Sequence, residues 1–545
     1  MKYFPYVGIL LWMIGCGRPA QDVAMELILD PSITYQRMEG FGASDAWRCQ
    51  FVGKYWPDEK KEYIADLLFS RKFDDQGDPR GIGLSIWRFY LGSGTTEMGE
   101  ASEIVNEWRR AECFQLPDGS YDWTRQEGQQ WFLKAARDRG VEKFLAFSIT
   151  PPVHMSRNGK GYSSKGDIRM NIAPGKMDDY ARFMTDVMLH FRDRGEPFDY
   201  LSPFNEPQWD WDQHTQEGTA AQNQDLFELT RALSADFERR GLFAEILLGE
   251  AATVNHLAGI VKDDSRDDQI QVFFGKDSPL NVAGLPGVRR AITAHSYFIT
   301  WPLDTLLASR KRLAERLQQT DPSLEYWQTE FCILENNPEI GQGSGRDLAM
   351  PTALYVARVI HADLVMNNAS SWQWWTALSQ CDYKDGLVYL DTGHGSGMTD
   401  PRSAMNDSLK YDGVVRESKL LWVLGNYSRF IPPGARRVEA RFKEPQDPVE
   451  QLTRVMVSAY HDPFLKRYVL VAINQAAERQ TLSLLDHEGK KIASGVRLAT
   501  YTTSADQDLG ADLTNAPELS LDPHSVTTLL IPESYLKKTN LQETP

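Results

Sequence analysis

The sequence predicts an α/β protein, a (β/α)8 TIM barrel with an appended antiparallel β-sandwich side domain. Three observations carry that prediction. Eight short β-prone runs recur between residues 38 and 375, most of them separated by amphipathic helical stretches. The fourth and seventh runs each deliver a glutamate, Glu206 and Glu330, at the end of an apolar stretch. Beyond residue 423 the runs become short, alternating and broken by Pro, Gly, Asp or Asn, as in an antiparallel sandwich.

The chain is 545 residues long and 42% hydrophobic, enough for one large domain and a smaller one. Its net charge is −16 with no basic block, which excludes nucleic acid and anionic membrane surfaces as partners and leaves a neutral polymer open. Aromatic side chains are abundant, with 15 Trp, and several lie in predicted loops where flat faces suit sugar rings. Residues 1–21 read as a leader and linker. Lys2 precedes an apolar run at residues 7–14 too short to span a bilayer, and the Met13-Ile14-Gly15-Cys16 ending resembles a bacterial lipoprotein signal. Cys16 would then be the lipidated N-terminus of an exported protein, periplasmic or at the cell surface, touching membrane only through that anchor. An ordinary signal peptide cleaved near Pro19-Ala20 is the alternative. The remaining Cys49, Cys113, Cys332 and Cys381 fit no metal-site spacing; they could form up to two disulfides, and Cys332 in a core strand reads as a free thiol.

The strands are expected at residues 38–44, 83–90, 143–149, 199–204, 244–248, 291–296, 325–331 and 370–375. Helices are expected at 60–69, 129–139, 177–192, 226–239, 303–317 and 351–367. The barrel would occupy 37–423. The sandwich would combine 24–36 with 424–533, its N-terminal part being two short strands, 25–28 and 33–35, with Asp30-Pro31-Ser32 as the turn between them. No helix of useful length is expected among its C-terminal strands at 438–442, 453–458, 468–474, 481–485, 496–502 and 525–531.

Residues at the C-terminal ends of barrel strands point into one mouth. Those ends supply Asp45 and Trp47 after the first strand, Arg88 at the second, Thr150 and His154 after the third, Asn205 and Glu206 at the fourth, followed by Trp209. His295 and Tyr297 come at the sixth, Glu330 at the seventh, Trp372 and Trp374 at the eighth. Two acids, hydrogen-bonding groups and aromatic platforms compose a sugar site, and paired carboxylates on one mouth are the machinery of glycoside hydrolysis. Plainer readings stand beside this: Arg88 on an apolar strand needs a carboxylate whatever its function, and His295 could be a satisfied core histidine. The Trp372-Gln373-Trp374-Trp375 run must split across two faces of its strand.

These residues resemble glycoside hydrolase family 30, in the clan of retaining (β/α)8 glycosidases, across essentially the whole mature chain. The likeness runs through EGFGAS (39–44), WRFYLGSG (87–94), SITPPVHM (148–155), PFNEP (203–207), HSY (295–297), TEF (329–331) and SWQWW (371–375). It implies Glu206 as acid/base and Glu330 as nucleophile. Asn205 would contact the sugar 2-hydroxyl, Arg88 and Tyr297 would hold Glu330 ionised and oriented, and His295 would support that side. It implies no metal and no cofactor. The substrate would be a β-linked polysaccharide or oligosaccharide. Gln208-Trp209-Asp210-Trp211, Gln216-Glu217-Gly218 and Met155-Ser156-Arg157-Asn158-Gly159 look most like the endo-β-1,6-galactanase branch, with xylanase and β-1,6-glucanase branches as competitors. His154 departs from the family's usual Trp and would form part of the sugar-facing wall. A non-catalytic glycan-binding protein and an exo-acting glucosidase are the alternatives outside that reading.

Overall fold

The computed structural model of the chain describes residues 24–393, 404–492 and 494–538. Residues 1–21, Cys16 among them, lie outside the described residues. Among the described residues no helix is long and apolar enough to cross a membrane.

Eight parallel strands close into a barrel: Gly40–Ser44, Ile86–Tyr90, Lys143–Phe147, Tyr200–Ser202, Glu245–Ala251, Val288–His295, Glu325–Glu330 and Ala369–Trp374, the last pairing with the first. Each overlaps one of the eight expected runs. The barrel is filled, not hollow. Ile86, Leu145, Tyr200, Leu247, Ala291 and Trp327 pack inside it, with Tyr200 and Trp327 edge to face at 5.0 Å.

The helices form an outer ring because their apolar residues recur on one stripe. In Asn223–Arg240, Leu226, Leu229, Leu233 and Phe237 are all buried at three- and four-residue spacing, and each such burial contributes about 1.5–3 kcal/mol. Gly241 stops that helix in the left-handed conformation, φ 64°. The fifth strand is followed by two short helices, Val254–Leu257 and Gln269–Phe274.

The second sheet has nine strands, and Met25–Arg37 lies within it, antiparallel to Arg436–Phe442 and parallel to Gln480–Leu485. Where two short strands were expected there is one, bent by a register shift between Asp30 and Thr34. Asp30-Pro31-Ser32 is therefore a bulge and not a reversal. Two further strands, Gly510–Asn515 and Glu518–Leu521, occupy opposite edges of the sheet yet are joined directly through Ala516-Pro517. The sheet thus curls nearly shut around Leu27, Leu29, Val457, Leu470, Leu484 and Leu529. A six-residue helix, Pro448–Thr453, capped by Asp447, precedes Val455–Asp462, between strands where no helix of useful length was expected.

Candidate active site

Five barrel strands build the site, the second and the fourth to seventh. The fourth strand stops at Ser202, and Glu206 follows with a left-handed backbone, φ 44°. For a non-glycine residue that conformation costs about 1–3 kcal/mol and must be held from outside. Three contacts hold it. The Glu206 N–H donates to the Glu250 carbonyl at 2.8 Å, and the Glu206 carbonyl accepts from the Trp209 N–H and the Trp211 indole, each at 3.0 Å. From the seventh strand Glu330 enters opposite. Its Oε2 accepts from Arg88 Nη1 at 2.5 Å and its Oε1 from the Tyr297 hydroxyl at 3.0 Å. His295, at the end of the sixth strand, bonds Glu206 Oε1 through Nδ1 at 2.8 Å and lies 3.7 Å from Glu330 Oε1. One carboxylate oxygen each of Glu206 and Glu330 and a ring nitrogen of His295 fall within 4.8 Å of one another.

The surroundings of the two carboxylates differ. Burial pushes the Glu206 carboxyl above its ordinary value and the Glu330 charge adds to this, while the His295 hydrogen bond and charge pull it back. Glu330 is clamped between a guanidinium and a phenol. Such a pair sets a carboxyl that burial favours in its protonated form beside one that a cation and a phenol hold in place.

Asn205, Glu206, Trp209, Tyr297 and Glu330 line a cavity of about 330 Å³ at the barrel mouth. Arg88 and His295 are fully buried in its floor. Arg109, Ile149, Trp211, Gln216, Phe298 and Trp375 complete much of its wall; apart from Trp211 and Gln216 these are residues that sequence reasoning did not select. A larger hollow, about 700 Å³, lies between helices Asp58–Phe69 and Glu127–Asp138, away from these carboxylates and lined mainly by charged surface side chains.

Several expected residues lie elsewhere. Trp372 and Trp374 face outward, because alternate residues of a strand point to opposite sides and Ser371 and Gln373 take the inner positions. The Trp372 indole donates to Asp363 at 3.1 Å on helix Met350–Met366, the Trp374 indole to the Asp385 carbonyl at 2.9 Å, and both rings pack with Phe331. Trp375, one residue past the strand, turns into the cavity instead. His154 sits on the turn Val153–Met155, bonded to Gln115 Oε1 at 3.0 Å and outside the cavity lining. Asp45 is buried behind the wall, accepting from the Tyr90 N–H at 2.9 Å and Gln129 at 3.0 Å; burial outweighs those bonds and pushes it up to about 7. Trp47 backs Trp375 edge to face at 5.3 Å. The four described cysteines are free thiols.

Against the two glutamates themselves, reasoning from sequence missed Glu250. The fifth strand does not end at Leu248: it continues to Ala251 with a register shift against the sixth strand between Leu248 and Ala251. Gly249, φ 110°, makes this possible, since a Cβ there would lie 2.3 Å from the Thr293 carbonyl oxygen. The bulge turns Glu250 inward. Its carboxylate accepts from Ser202 at 2.7 Å, Thr329 at 2.9 Å, His295 Nε2 at 3.0 Å and Arg88 Nη2 at 3.1 Å. The signal was present in Leu247-Leu248-Gly249-Glu250-Ala251, a glycine interrupting a strand.

Glu206, His295 and Glu330 have the spacing of metal ligands. Their chemistry fits a cation poorly. Both His295 nitrogens face carboxylates and so carry protons rather than free lone pairs, and Arg88 already neutralises Glu330.

Among solved structures, the chain is similar to a conserved exported protein from Bacteroides fragilis, at 38% identity and TM-score 0.86, over 93% of this chain and 100% of that one. It shares its fold with the catalytic domain of a GH30 xylanase C from Talaromyces cellulolyticus, at 20% identity and TM-score 0.64, covering 93% and 99%. It shares it also with an endo-β1,6-glucanase, at 17% identity and TM-score 0.61, covering 94% and 95%. The model of O-glycosyl hydrolase family 30 matches residues 24–389, and with a closed barrel carrying paired glutamates at its mouth the chain belongs to that family of glycoside hydrolases.

Proposed function

We propose that this glycoside hydrolase is a retaining endo-glycosidase cleaving a β-linked polysaccharide, with β-1,6-galactan side chains as its substrate. The observation that carries the reading is the approach of Glu206 and Glu330 to within 4.8 Å in unlike surroundings. Retaining enzymes need carboxyl groups about 5–5.5 Å apart, inverting ones about 6.5–9.5 Å. In the first step a Glu330 oxygen attacks the anomeric carbon as the glycosidic bond breaks, and the departing oxygen takes the Glu206 proton. In the second, Glu206 as carboxylate removes a proton from water, whose oxygen displaces Glu330 and returns the sugar with its original anomeric configuration. Asn205, whose Oδ1 accepts from Arg88 at 3.4 Å, keeps its amide N–H free for a sugar hydroxyl.

The galactan assignment rests on three blocks that resemble that branch, two of which follow the acid/base in the chain. Trp209 and Trp211 from one, and Gln216 from the other, line the same cavity as the glutamates. Side chains in those positions meet the sugar, so their identity bears on substrate choice. Hydrolysis of β-1,6-galactan, glucuronoxylan and β-1,6-glucan with product sizing tests it. Galacto-oligosaccharides of mixed length support the proposal; exclusive release from xylan or glucan replaces it with a sibling activity, and monosaccharide alone contradicts endo action. We propose further that the protein is exported and anchored through Cys16, supported by the leader pattern and by the relative described as exported.

A further inference from the structure

The fifth barrel strand contributes a third carboxylate to a site that needs two, and the contacts of Glu250 reach both of the others. One Glu250 oxygen, Oε2, accepts at once from His295 Nε2 and Arg88 Nη2. His295 in turn holds Glu206, and Arg88 holds Glu330. Its main chain grips the same residue a second time, since the Glu250 carbonyl accepts the Glu206 N–H. Taking Glu206 and Glu330 as acid/base and nucleophile, we propose that Glu250 is the positioning residue of the pair, the fixed anion that locks His295 as an imidazolium and braces Arg88.

Every charged or titratable neighbour supports this. His295 meets Glu206 and Glu330 on its Nδ1 side and Glu250 on its Nε2 side, with the Tyr297 ring edge to face at 5.6 Å. Around Glu250 stand Arg88 from the second strand, Ser202 from the fourth, Thr329 from the seventh and the nearby Tyr326 phenol. A wholly buried carboxylate with two cations and two hydroxyls on its oxygens stays ionised; burial alone would raise it, but Arg88 and His295 hold it down to about 2. Burial would lower His295, but Glu330, Glu206 and Glu250 push it up to about 10. Glu206 is then the group of this cluster whose proton moves during turnover. A neutral imidazole at 2.8 Å from Glu206 would instead compete for that proton.

The test follows the His295 imidazole by NMR in histidine-labelled protein, its signals identified by their loss in His295→Asn, with kcat/KM measured against pH in parallel. In the wild type the ring should stay an imidazolium from about pH 5 to 8, where an ordinary histidine titrates. Glu250→Gln keeps the shape but removes the charge, so His295 should titrate inside that window and kcat/KM should gain an ionisation there. Its plateau should fall by about tenfold or more, a loss of about 1.4 kcal/mol of transition-state stabilisation for each factor of ten. Titration of wild-type His295 within the window, or an unaltered His295 and pH profile in Glu250→Gln, overturns the proposal. If Glu250→Gln does not fold, the wild-type titration decides. The NMR reading needs no substrate, so it stands apart from whether galactan is hydrolysed.

Discussion

Glu206 and Glu330 reach toward each other from nearly opposite sides of the barrel, one oxygen of each within 4.8 Å, the first shouldered by His295 and the second clamped by Arg88. Identical side chains are thereby given unlike surroundings by their neighbours.

Glu330→Gln should abolish turnover on every substrate, because the amide cannot form the glycosyl intermediate. Glu206→Ala should lose about 10²–10⁴-fold on polysaccharide yet retain slow release of good leaving groups that need no protonation. Added azide should restore that variant and yield a β-glycosyl azide. Full activity in either variant would remove the assignment.

The sugar released first should be the β-anomer, seen by proton NMR before mutarotation. An α-anomer appearing first would require a water between the carboxylates, for which a gap under 5 Å leaves no room.

Stability should peak at mildly acidic pH, as far as Glu250 and His295 govern it. Glu250 is held at about 2 against an ordinary value of 4.5, so its contribution is full above 4.5 and is lost as pH falls through about 2. His295 is held at about 10 against 6.5, so its contribution is full below 6.5 and is lost as pH rises through about 10. Thermal melts across pH should show that plateau, and Glu250→Gln should flatten its acid shoulder.

Trp209→Ala should raise KM on polysaccharide by about five- to thirtyfold, equivalent to about 1–2 kcal/mol of lost apolar contact. His154→Ala should leave kinetics within about twofold, equivalent to under about 0.5 kcal/mol, since its half-buried ring lies outside the cavity lining and bonds Gln115. The reverse pattern in steady-state kinetics would place the sugar wall on the third strand after all.

If Cys16 carries lipid, Cys16→Ser should convert a membrane-associated product to a soluble or unprocessed one. An unchanged fractionation pattern would indicate an ordinary signal peptide.

The amino-acid sequence by itself determined the eight strands, the principal helices and the two glutamates. Those features are written locally: a period of two or of 3.6 residues, and an acid placed where an apolar run stops. It also carried the likeness to family 30. What only the tertiary structure decided was orientation and contact. A strand's alternation says that neighbours part company, but not which of them faces the barrel axis, so Trp372 and Trp374 went to the outer face and Trp375 to the cavity. Glu250 depends on closure of the barrel. Gly249 permits a bulge, but the fifth strand's glutamate acquires meaning only when the sixth strand supplies His295 and the second supplies Arg88, residues 45 and 162 positions away in the chain. The pairing of charges across such separations belongs to the closed fold, because the chain brings them together only by burying the strands between them.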